Sequence, residues 1–71
     1  MINQKLDGIL CTLRDAVTNT TDAARVFDAL AQLSDEIGAR RQDAGARVLA
    51  GKWYDIAAMS RIIAMNARQE G

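Results

Sequence analysis

The chain has 71 residues, 49% of them hydrophobic and 25% charged, with one Cys, no His and no Pro. That length holds a single helical domain, residues 1–71, and the composition is that of a folded protein rather than a disordered one. One Cys without His leaves no ligand set for a structural zinc ion and no disulfide within the chain, and a formal net charge of zero lacks the basic excess that marks nucleic-acid-binding domains.

Hydrophobic periodicity near 3.6 runs through the whole chain, and no segment alternates with period two, so an all-α fold is expected. A first helix is predicted over about residues 2–17, where Ile2, Leu6, Ile9, Leu10, Leu13 and Val17 form one apolar stripe. Cys11 falls on the far side of that helix, beside Asp7 and Asp15. It is expected to be exposed or at an interface, and its acidic neighbours argue against a nucleophilic role. The run Thr18-Asn19-Thr20-Thr21-Asp22 ends the helix, with Thr20 or Thr21 as the cap of the next one and Asp22 placed against its N-terminal dipole.

A second helix is predicted over about residues 22–50, with Ala23, Val26, Phe27, Leu30, Leu33 and Ile37 on one face. No Pro interrupts it. Gly38 and Gly45 each weaken it by about 1 kcal/mol relative to Ala, and no large apolar residue appears between them, so its middle is the expected bend or close-packing point. Gly51 is taken as the residue that closes this long central helix.

A third helix then spans about residues 52–68. Trp53, Ile56, Met59, Ser60, Ile63, Ala64 and Ala67 share one face, while Tyr54, Ala58, Ile62 and Met65 form a second apolar stripe on nearly the opposite side. A helix apolar on two sides is normally covered on two sides. The first face is therefore assigned to helix 2, with Trp53 in the core, and Tyr54, Ala58, Ile62 and Met65 to an oligomer or partner interface. A small chain without disulfide or metal has little stability to spare, which favours a two-fold assembly, so the expected architecture is a homodimeric helical bundle of three-helix chains.

Chemistry-bearing groups are sparse. Without His the usual general base and the usual metal ligand are both missing, and Asp35 and Glu36, the adjacent acids, point about 100° apart on a helix. No catalytic residue, metal or cofactor is expected. Charge is laid out unevenly. Residues 1–37 hold three positive and six negative side chains, and residues 38–71 hold six and three. Within the basic half, Arg40, Arg41, Arg47 and Lys52 are the candidate contacts to nucleic acid or to an acidic partner, with salt bridging between helices as the plainer use. The expected function is a non-catalytic protein-interaction or oligomerisation module, a small accessory or adaptor protein. The alternative is a small dimeric DNA-binding regulator using the basic C-terminal half. The N-terminus lacks the apolar run of a signal peptide and no stretch approaches the length of a membrane span, so a cytoplasmic location is expected.

Overall fold

The structure, a computed structural model, describes residues 4–19 and 22–70. Three helices are present, α1 (Gln4–Asn19), α2 (Ala23–Asp43) and α3 (Arg47–Glu70), and the described residues contain no strand. The all-α expectation is met. Residues 2 and 3 of the predicted first helix lie outside the described residues, and α1 continues two residues past the expected end at Val17.

The boundary between the second and third helices is corrected. The long central helix over residues 22–50 does not form. α2 stops at Asp43, and Gly51 lies inside α3, which is the longest of the three at 24 residues. The stop is a Schellman motif. Ala46 N–H donates to the Arg41 carbonyl at 2.8 Å and Gly45 N–H to the Gln42 carbonyl at 3.0 Å. This requires Gly45 at φ 87, a left-handed conformation that penalises any Cβ. Arg40 and Arg41 occupy the last turn of α2, where positive charge suits the helix dipole. The Ala46 carbonyl then accepts from Ala50 N–H at 2.9 Å and begins α3. At the other end of α2 the cap is Asp22, whose carboxylate accepts from Ala24 N–H at 3.0 Å. Thr20 and Thr21, the expected caps, lie outside the described residues. A carboxylate at this position adds charge to the capping bond, which suits the N-terminal dipole better than a hydroxyl.

The hairpin of α2 and α3 packs along a seam of small residues seven apart. Ala24, Ala31 and Gly38 line it from α2, and Ala50, Ala57 and Ala64 from α3. All six are buried. A repeat of seven keeps one seam facing a partner helix, and small side chains let the two backbones come close. Between the alanines lie Ser34 and Ser60, each buried with its hydroxyl donating to the carbonyl four residues earlier, Leu30 at 2.9 Å and Ile56 at 2.8 Å. Those bonds satisfy the hydroxyls inside their own helices, so burying them leaves no unpaired group. Toward the hairpin end Gly38 allows a close approach. A Cβ on Gly38 would stand 3.3 Å from Trp53 Cβ and 2.9 Å from a Tyr54 ring carbon.

Beside the seam runs a polar ladder, also in steps of seven. Asp28 pairs with Arg68, Asp35 with Arg61, and Tyr54 Oη donates to Gln42 Oε1 at 3.1 Å. The hydrogen bond from Arg61 to Asp35 raises the Arg61 pKa above its ordinary value. These exposed pairs add little to stability singly, yet together they mark one antiparallel register. The Asp35→Arg chain is expected to lose about 0.5–1 kcal/mol in urea unfolding, and Asp35→Arg with Arg61→Asp to regain most of it. A double variant no more stable than the single one contradicts the register.

α1 packs on α2 alone and does not approach α3 among the described residues. The Cα extents are 40 × 24 × 11 Å. Three helices side by side, at spacings of about 8–10 Å, account for the width of 24 Å. The helices therefore form one layer with α2 in the middle, and a layer one helix thick cannot enclose a core. Among the described residues no large apolar side chain is fully buried; the largest that is fully buried is Ser34.

Candidate interaction surface

A single layer has two broad faces, and the heptad positions decide which residues go to each. The ladder residues Asp28, Asp35 and Gln42 of α2 and Tyr54, Arg61 and Arg68 of α3 flank the seam on one side. The opposite flank then belongs to Leu30 and Ile37 of α2 and to Leu49, Ile56 and Ile63 of α3, each of which stands one position before a seam residue. One face of the hairpin is polar and the other aliphatic.

α1 extends both faces. Lys5 reaches Glu36 at 3.3 Å, and Thr12 and Asp15 line a pocket with Arg25, so the polar side of α1 adjoins the ladder face. At about 100° per residue, Leu6, Leu10, Leu13 and Val17 stand roughly half a turn from Asp15, on the aliphatic side. Leu10 and Val17 are exposed, as are Leu49, Ile56 and Ile63. The aliphatic face thus spans all three helices; Arg41 and Lys52 stand toward it near the hairpin turn, and Asp7 and Arg14 share a groove with its Leu10 and Leu13 on α1.

The polar face carries a cleft of about 560 Å³ lined by Lys5, Ile9, Gln32, Glu36, Ala39 and Tyr54, among others. Its acids are already engaged. Glu36, with its side chain 15% exposed, holds both Lys5 and Arg40, the latter at 3.0 Å, and so ties α1 to the middle helix. Asp35 turns the other way, to Arg61. No group of three metal-ligating side chains occurs among the described residues.

The faces assigned to the third helix change. Ile56, Met59 and Ile63 were expected against helix 2, but they are 41%, 62% and 41% exposed. Ala57, which belonged to neither predicted stripe, is completely buried in their place. The reason is steric, because a seam of alanines brings the two backbones too close for Ile side chains to fit between them, so those are displaced to the flank. Trp53 is half-buried at the seam.

The structure separates the predicted interface residues. Tyr54 belongs to the ladder and covers Gly38, whereas Ala58 and Met65, each one position past a seam alanine, are exposed on the ladder side of α3 and Ile62 is exposed on its outer side. The basic residues are not gathered either. Arg40 is held by Glu36, with its Nε buried and lacking a partner, while Arg41, Arg47 and Lys52 are exposed. Five residues apart on α3, Arg47 and Lys52 point about 140° from each other. Cys11 is exposed, as its wheel position predicts.

The aliphatic face as a unit was missed by pattern reading. Its signal was the repeat of small residues at 24, 31 and 38 and at 50, 57 and 64, from which the flanking positions follow. No helix of the described residues is long and apolar enough to cross a membrane. No protein-family model, curated protein or solved structure matches the chain.

Proposed function

We propose that the chain is a non-catalytic helical module for oligomerisation and protein interaction, a small accessory or adaptor protein that works as a homodimer. The observation that carries this reading is the single layer. Three helices in a row bury alanines and serines and leave Leu, Ile, Val and Met side chains in water. Large exposed apolar patches on small folded proteins mark sites where another surface belongs. The fully buried side chains of a lone chain are too small to supply much hydrophobic stabilisation, which scales with the apolar area removed from water. Completion by a second chain supplies what is missing.

The DNA-binding alternative depends on Arg40, Arg41, Arg47 and Lys52 acting together, and their divergence gives it no support. Thermal unfolding across a hundredfold range of concentration tests the proposal. Association linked to folding makes Tm rise with protein concentration, and a Tm that stays constant across that range contradicts a homodimer.

A further inference from the structure

We infer that the aliphatic broad face, carried by Leu10, Val17, Leu30, Ile37, Ile56 and Ile63, is the dimer interface, and that it is covered by the same face of a second copy to give two stacked layers of three helices. This rests on the homodimer reading and adds which surface is used. Size is the first support. A face with Cα extents of 40 × 24 Å matches the ~800 Å² per partner buried in a standard interface. Ala58 and Met65 stand one position past the seam alanines, beside the charged ladder, and Ile62 lies on the outer edge of α3, a strip only one helix wide.

Electrostatics is the second. The ladder face carries Asp28, Asp35, Arg61 and Arg68, all paired within the chain. Covering it would desolvate charges that gain no new partner. On α2 and α3 the aliphatic face has no charged residue along its middle; Arg41 and Lys52 stand near one end, and Asp7 and Arg14 border its α1 edge beside Leu10 and Leu13. A two-fold stack with the helices of the two layers running in opposite senses keeps those cationic ends apart. The third support is the shared deficit. Every copy lacks the same covering layer, and a two-fold contact makes one patch serve as its own complement.

The test uses the full-length chain in three forms. Sedimentation at micromolar concentration is expected to show a dimer for the native chain and for Ile62→Glu with Met65→Glu. Ile56→Glu with Ile63→Glu is expected to weaken association ~100-fold or more, because it places charges in a dry interface. To guard against simple misfolding of that variant, Cys11→Ser chains bearing either Ile56→Cys or Ile62→Cys are treated with a short bismaleimide. Covalent dimer from Ile56→Cys alone supports the inference. Dimer from Ile62→Cys alone, or loss of association in the Ile62 and Met65 variant only, overturns the surface assignment while leaving the homodimer standing. A native chain that is monomeric and floats with phosphatidylcholine vesicles would assign the face to lipid and overturn both.

Discussion

The Ala57→Leu chain is expected to lose about 1–3 kcal/mol or more, read as a fall in the urea midpoint of the helical circular dichroism signal. Ala57 is completely buried at the middle of the seam, and the ladder register, in which Asp35 meets Arg61 and Gln42 meets Tyr54, sets buried Gly38 opposite it. The residues to either side on the seam are Ala50 and Ala64, also buried, so the extra methyl groups of Leu have no neighbouring gap to enter. Either the helices move apart, which breaks the polar ladder at Asp35 and Arg61, or the side chain is forced off its rotamer. Small single-core proteins rarely hold more than ~3–5 kcal/mol, so a loss of this size removes much of the total. Ala58→Leu is the control. Ala58 is exposed on α3 one position past the seam, where Leu is tolerated by the helix at almost no loss. Equal midpoints for the two variants would contradict the alanine seam.

The second large effect is a pair of opposite signs at two glycines. Gly45→Ala is expected to destabilise by about 1–2 kcal/mol, because the turn holds that residue at φ 87 and a Cβ clashes with its own backbone there. Gly51→Ala is expected to stabilise by up to about 1 kcal/mol. Gly51 sits in the interior of α3, exposed, with nothing within 4 Å of an added Cβ, so Ala brings its higher helix propensity without a clash. Had the chain turned at Gly51 and continued as helix through Gly45, both signs would reverse. Urea midpoints of the two single variants settle the hairpin's position, and a stabilising Gly45→Ala would place the turn elsewhere.

Those two glycines also show how far the sequence was legible. The all-helical class, three helices and the end of α1 near the Thr-rich run follow from periodicity and cap residues within a few positions. The turn did not, because two glycines six residues apart, 45 and 51, offer the same local signal, and α3's large residues from Val48 onward read equally well as the tail of helix 2. Tertiary packing decides between them. A turn at Gly45 gives arms of 21 and 24 residues and brings Ala31 and Gly38 of one opposite Ala64 and Ala57 of the other. A turn at Gly51 would leave Ala50 on the wrong arm and shorten the seam.

The misassigned faces of α3 have a related cause. Weighting by hydrophobicity directs attention to Ile56, Met59 and Ile63, whereas a close-packed pair is built on its smallest residues. Ala57 and Ala64 are ordinary helix residues to a periodicity count and become informative only when set beside Ala50, seven residues earlier. The excess of apolar surface on α3 was visible in the sequence. Its meaning was not, since the direction of the surplus depends on which narrow strip faces α2.

Light scattering of the full-length chain at micromolar concentration, with reductant present to keep Cys11 from cross-linking copies, tests most directly that one layer of helices needs a second. A solution mass near twice 7.7 kDa is the predicted result. A stably folded species at 7.7 kDa, with its aliphatic face in water, would contradict it.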